Sequence, residues 1–356
     1  MIARDLLLLT AAAALASGQE AQFGATFPVV ISGQVMSTDR AGAEHSPSAA
    51  YRMIVSPTVK LGANWFGYSA IQVHRSPYFF EEAYEKTRET RVDVLQAYIG
   101  YTRSARDRTL TVKAGQLTSA FGAFPLRYDD SRNALIDMPF GYGAYGGPIS
   151  VYGIPGVEVN AVIGRADARA QFTNSSPISP RKLWDHDQYG SFTAGGGYAI
   201  APGLRAGVSA FRGAYLYRGH EFYFPGEARP KDLPATGYGV DVQAARGRWN
   251  VSGEVQRIQL PYRAIPYFFL TSAYGEAKFT LSPRWYVAGR SGAQWRTAGL
   301  GRYDRYEAVV GFRPASRHLV KAGYEWLQGR WVRGARDNVL AVQYVVQVHP
   351  PTWAIR

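Results

Sequence analysis

Cysteine is absent from all 356 residues. An exported chain of this size without disulfides must hold together by other means, which excludes the small disulfide-stapled class. Long hydrophobic runs are missing as well. The best candidate, Leu6–Leu15, is shorter than the about 18–20 apolar residues that a membrane-crossing helix needs. It follows Arg4 and leads into small residues around Ala14-Leu15-Ala16, so residues 1–18 read as a secretory signal peptide cleaved between Ala16 and Gln19. The remaining domain, 19–356, begins its strand pattern almost at once, leaving no room for an energised-transporter plug, and no peptidoglycan-binding domain comes after it.

Catalytic and metal chemistry are thin. Of the histidines His45, His74, His186, His220, His318 and His349, only His74 and His318 fall in or beside predicted strands, and no Gly-x-Ser-x-Gly elbow occurs. With no nucleophile set against a base, no catalytic residues are assigned. Trp184-Asp185-His186-Asp187 offers two carboxylates and one imidazole, too few ligands for calcium or zinc, and reads as a solvated external loop. No metal or cofactor site is assigned.

What the chain has is tyrosine (24), glycine (38) and a net charge of +13. An exported, Tyr- and Gly-rich chain without a hydrophobic helix fits an outer-membrane barrel, whose backbone closes its own hydrogen bonds and whose aromatics mark both interfaces. Export makes nucleic acid the poorest partner for the basic excess and leaves membrane lipid or an anionic solute.

Period-2 alternation runs from end to end. Val29, Ile31, Gly33 and Val35 alternate with Val30, Ser32 and Gln34; Met53, Val55, Val59 and Leu61 alternate with Arg52, Ser56, Thr58 and Lys60. A clear hairpin joins Tyr238–Ala244 to Trp249–Val255 through Ala245-Arg246-Gly247-Arg248, and Asn338–Val348 closes the series. The pattern predicts an all-β transmembrane antiparallel β-barrel of about sixteen strands, each roughly ten residues long. Links after odd-numbered strands are long (38–50, 75–89, 117–155, 174–187, 215–235, 261–269, 297–303, 328–337), whereas the others are short, as at Ala201-Pro202 and Ser282-Pro283. Long external loops against short periplasmic turns give that rhythm, and a soluble sandwich has no reason to keep it.

Charge agrees. A lipid-facing Lys or Arg at mid-membrane costs about 2–4 kcal/mol, and the apolar faces carry none there. Arg212 and Arg257 are the exceptions, near strand ends where a long side chain snorkels out. The opposite faces carry Lys113, Lys278, Arg290, Glu254 and Glu276, with Arg305, Lys321, Glu307 and Glu325, and are assigned to the lumen.

The stretch Thr109–Gly143 stands apart. Its alternation stops at Gly115, and the residues beyond mix Phe121, Phe124, Leu135, Ile136, Met138 and Phe140 with charges of both signs. A long connection with apolar anchors and charges is an ordered, functional loop. It is predicted to fold into the bore, where Arg127, Asp129, Asp130, Arg132 and Asp137 set opposed charges across a pore constriction. The 215–235 link gathers Tyr215, Tyr217, Phe222, Tyr223 and Phe224 with Arg218 and Arg229, aromatics suited to packing the loop or to stacking on sugars.

Within this stretch, Val112-Lys113-Ala114-Gly115-Gln116 followed by Ser119-Ala120-Phe121-Gly122 resembles the R-x-G-Q-F…P-F-G turn of general porins related to the phosphate-selective porin O and P family. The resemblance implies a third external loop folded inward and a homotrimer. Ala120 stands where that pattern has proline, no basic ladder dense enough for phosphate selectivity is present, and the chain runs past its last predicted strand through His349-Pro350-Pro351 to Arg356. The combined expectation is a porin, a passive diffusion channel for small hydrophilic solutes with mild anion preference. A lipid-modifying barrel enzyme and a closed structural or adhesive barrel are the alternatives.

Overall fold

The computed structural model describes residues 23–39, 46–80, 82, 88–143, 149–218, 229–262, 268–297, 301–329 and 336–355. The expected signal peptide and Phe222–Phe224 lie outside them. The chain forms β1 (Phe23–Thr26 and Val29–Thr38), β2 (Ser48–Val55 and Thr58–Leu61), β3 (Trp65–Arg75), β4 (Thr90–Ala105), β5 (Arg108–Leu117) and β6 (Ile154–Ile163). Next come β7 (Ala166–Thr173), β8 (Ser191–Ala201), β9 (Leu204–Ala214), β10 (Pro234–Arg246) and β11 (Trp249–Leu260). The last are β12 (Phe268–Thr280), β13 (Trp285–Arg296), β14 (Arg302–Phe312), β15 (His318–Gly329) and β16 (Arg336–Val348 and Trp353–Ile355). Sixteen antiparallel strands thus close into one barrel. Closure comes from β16 on β1, with Val342 opposite Val35 and Ala354 opposite Gly24. A closed sheet has no edge to satisfy, which is the condition for crossing hydrocarbon with strands.

The end of the chain corrects one expectation. The backbone does not leave the wall at Val348: Trp353–Ile355 pairs with Phe23–Ala25. Proline hides the continuation, because a residue without an N–H interrupts the ladder. Pro28, Pro57 and Pro350-Pro351 break β1, β2 and β16, which are neighbours in the sheet, and Ser56 N donates to the Pro28 carbonyl at 2.8 Å across the gap.

The alternation sorts by solvent in the reverse sense from a soluble protein. Outward Val208, Tyr238 and Leu340 are 63%, 64% and 59% exposed, while inward Lys321, Glu325 and Gln343 are 0% exposed. Apolar side chains turned out and charged ones turned in match a barrel whose outside is lipid. Aromatic pairs Trp249–Phe279 and Trp285–Phe312, with centroids 4.6 and 4.4 Å apart, ring the end with the short turns. Tyr306 stacks on Trp326 toward the other end.

Candidate functional site

The connection between β5 and β6 turns into the bore, and two glycines of the motif permit the turn. Gly115 has φ +138°, and a Cβ there would overlap the carbonyl oxygen of Ala97. Gly122 has φ +79°, and a Cβ there would overlap the Tyr142 hydroxyl. Only glycine takes both the backbone angle and the close approach.

From that turn the loop crosses the barrel and bonds to the wall on every side. Gln171 of β7 accepts from Ala120 N at 2.8 Å and donates to the Thr118 carbonyl at 2.7 Å. Phe121 packs edge-on against Phe211 of β9, with centroids 4.9 Å apart. Arg127, at the end of a short 3-10 turn (Phe124–Arg127), donates to Glu276 and to the Tyr274 hydroxyl, both on β12. Across the bore, Arg52 of β2 donates to Asp130 at 2.9 Å and to the Tyr128 carbonyl at 3.1 Å. Asp130 also accepts from Ser32 at 2.8 Å and from Tyr78 at 2.9 Å. Lys321 of β15 donates to the carbonyls of Asp130 and Leu135 at 2.8 and 3.0 Å.

Beyond Leu135 the loop meets β13 and β14. Arg305 pairs with Asp137 at 3.0 Å and also donates to the Met138 carbonyl. Arg290 donates to the Asp137 carbonyl at 2.9 Å and pairs with Glu276 and Glu307 at 3.0 and 3.1 Å. Glu307 in turn accepts from the amides of Ile136 and Asp137 at 2.7 and 3.2 Å. Glu254 of β11 accepts from Tyr142 at 2.7 Å and from Tyr274 at 3.0 Å. A buried charge is tolerable only when paired and hydrogen-bonded. Here Arg52, Arg127 and Arg305 pair wall with loop, so the pairing doubles as the attachment.

The five charges assigned to the constriction separate into two kinds. Asp130 and Asp137 are buried against Arg52 and Arg305 of the wall. Desolvation drives each acid onto the nearest wall cation. Arg127 and Asp129 keep partial exposure, Arg132 is exposed, and Asp129 Oδ1 caps the local turn by accepting from Ser131 N at 2.8 Å. Of the residues assigned to the lumen, Arg290, Glu254 and Glu276 join this network, Lys113 pairs with Glu158 at 2.7 Å, and Lys278 lies 4.6 Å over the Tyr286 ring.

A second inward segment has no counterpart among the sequence expectations. Tyr78, Phe79 and Phe80, between β3 and β4, are buried, and Gln34 of β1 donates to the Tyr78 carbonyl at 2.8 Å. Glu82 fastens this segment by accepting from His74 at 3.1 Å and from the amides of Tyr78 and Phe79 at 2.7 and 3.2 Å. Burial works to raise its pKa, yet these hydrogen bonds hold the carboxyl below its ordinary value of 4.5. The signal available was the run Tyr78-Phe79-Phe80, which a loop merely exposed to water does not need.

The two segments bring Phe121, Phe124, Tyr128, Met138 and Tyr142 together with Tyr78, Phe79, Tyr215 and Leu216 in one apolar cluster inside the barrel. At this depth the wall is covered all round. Gln34, Arg52, Gln171, Glu254, Gln294, Lys321 and Gln343 are each at most 4% exposed. At this level the loop packs against the wall of the bore. Toward the short turns it opens, and Lys60, Arg169, Lys278 and Arg205 keep partial exposure, Arg205 held by Asp167 and Asp241 at 2.7 and 3.0 Å.

Outside the bore, Trp184 is 78% exposed, and Asp185 accepts from Lys182 N at 2.8 Å in an exposed turn. No group of three potential metal ligands occurs among the described residues. Tyr215 is buried with its hydroxyl on the Pro261 carbonyl at 2.9 Å, and Tyr217 lies 4.0 Å from the Arg181 guanidinium, so these two aromatics pack the loop.

No protein-family model matches the sequence, and no curated protein matches it. Solved structures do. The Salmonella typhi OmpF complex with daunomycin matches with a TM-score of 0.65 at 10% identity, covering 91% of this chain and 97% of that one. An anion-selective porin from Comamonas acidovorans matches with 0.61 at 10% identity over 92% and 100%. The trimer form of OmpT, an outer membrane protein of Vibrio cholerae, matches with 0.60 at 10% identity over 92% and 99%. The chain therefore has the fold of outer-membrane porins.

Proposed function

We propose that this chain is a porin-type channel of the outer membrane for small hydrophilic solutes, and that the loop after β5 governs passage by occupying the bore. The observation that carries the reading is the loop's course. It leaves one wall at Gly115 and reaches the other at Arg52, Arg290, Arg305 and Lys321. Charged groups at a constriction sort solutes by charge, and Arg127, Asp129 and Arg132 on the loop keep contact with water. Passage then depends on where the loop stands against the wall.

The solvent-reached charges support mild anion preference. Lys60, Arg169 and Lys278 make no ion pair among the described residues, while Asp130, Asp137, Glu276 and Glu307 at the level of the loop are matched by Arg52, Arg305, Arg127 and Arg290. The resemblance to the phosphate-selective porin O and P family rests on the Val112–Gly122 motif and the overall strand rhythm, and phosphate selectivity is not carried over. A homotrimer follows from that resemblance and is supported by the trimeric neighbour.

The close packing of loop against wall also favours a second reading, a closed structural barrel. Planar-bilayer conductance separates the two. A channel gives discrete steps that grow when residues 121–140 are deleted; a closed barrel that folds but conducts in neither form overturns the channel.

A further inference from the structure

Among the arginines on the lipid side of the wall, two lie close together near its external end. Arg212 on β9 and Arg257 on β11 are both exposed there, and neither makes an ion pair among the described residues. Among the described strand residues the one acidic side chain on that face is Asp304, already held by Arg302 at 2.7 Å.

The register gathers the two into a patch. Phe192, Arg212, Thr236, Gln259 and Phe269 form one cross-strand row. Ala210, Tyr238, Arg257 and Thr271 form the next row on the same face. The arginines are therefore two strands and one row apart, on the order of 12 Å between Cα atoms, within the joint reach of two extended side chains. The Arg257 guanidinium lies 4.4 Å from the ring centre of Phe269 on β12, held flat against the wall on the side away from Arg212, so Arg212 supplies the longer reach across Tyr238. Toward mid-membrane the following row is Val208, Val240, Val255 and Ala273, wholly apolar.

We propose that this patch binds the phosphate of a lipid in the external leaflet. The two guanidinium forks take the phosphate oxygens, and the Tyr238 and Thr236 hydroxyls are placed to donate to the same headgroup. The acyl chains lie on the valine row beneath. A phosphorylated lipid rather than a free ion fits because Phe192, Phe269 and the valines border the cations with apolar surface. The binding rests on the membrane-spanning wall and not on conduction.

The test uses the folded full chain in nanodiscs of phosphatidylcholine with an admixture of phosphatidic acid, read by native mass spectrometry of retained lipid. Wild type retains phosphatidic acid in preference to phosphatidylcholine. Arg212→Gln or Arg257→Gln lowers that preference about fivefold, and the pair lowers it about thirtyfold. Arg246→Gln, at the opposite end of the wall, leaves it unchanged. Circular dichroism and gel mobility certify folding, and the double Arg→Lys variant restores part of the preference. A double Gln variant that folds and retains phosphatidic acid like wild type overturns the proposal. So does full displacement of the lipid by inorganic phosphate, which identifies an ion site.

Discussion

Arg290 is held between Glu276 and Glu307 at 3.0 and 3.1 Å, and its remaining donor meets the loop at the Asp137 carbonyl. Replacing it by methionine strands Glu307 among buried groups, a change that costs about 3–5 kcal/mol. Arg290→Met is expected to lower the urea midpoint and to release residues 135–138, read as faster amide exchange there. Arg290→Lys recovers part of the charge and little of the geometry, because an ammonium lacks the fork that spans two carboxylates. Glu82 carries a pH dependence. Its folded-state pKa is depressed, so its contribution is present above the ordinary carboxylate value of 4.5 and is lost as pH falls through the lower folded value. Exchange at Tyr78 and Phe79 should rise on acidification in wild type and be high at neutral pH in Glu82→Gln; no pH response in wild type contradicts the role. At this scale alternation assigned Arg290, Arg305 and Lys321 to the bore, since a face is a local property. Their partners depend on the loop's path, which local periodicity does not encode.

Among the elements, the strands were legible and the insertions were not. Hairpins such as β10–β11 announce themselves because both halves alternate across a short Gly-containing turn. The last segment of β16 is hidden in the sequence because Pro350-Pro351 interrupts the period just where β1 and β2 are interrupted too. The inward loop was visible as a break in alternation with apolar anchors, yet its fit depends on Gly122. Gly122→Ala forces a side chain onto Tyr142 at a positive φ and is expected to detach Tyr142 from Glu254, destabilising the loop by about 1–3 kcal/mol. Thermal melting and limited proteolysis within 121–140 check this, and cleavage no faster than wild type contradicts it.

For the whole molecule, the net charge of +13 does not sit at the level of the loop, where Arg52, Arg127, Arg290 and Arg305 are paired with carboxylates. It is expressed where water reaches: at Lys60, Arg169 and Lys278 inside, and at Arg212 and Arg257 outside. Lys60→Gln with Lys278→Gln is therefore expected to move the reversal potential in a salt gradient toward the cation side, with the barrel's melting unchanged. Cation preference in wild type contradicts the assignment. Passage itself is decided by planar-bilayer recording of the folded chain beside a variant lacking residues 121–140. A loop-governed channel gives infrequent small steps from the intact chain and frequent larger ones from the deletion, because removing the loop uncovers Arg52, Arg290, Arg305 and Lys321 to water. A deletion variant that folds and gives steps no larger than the intact chain contradicts it.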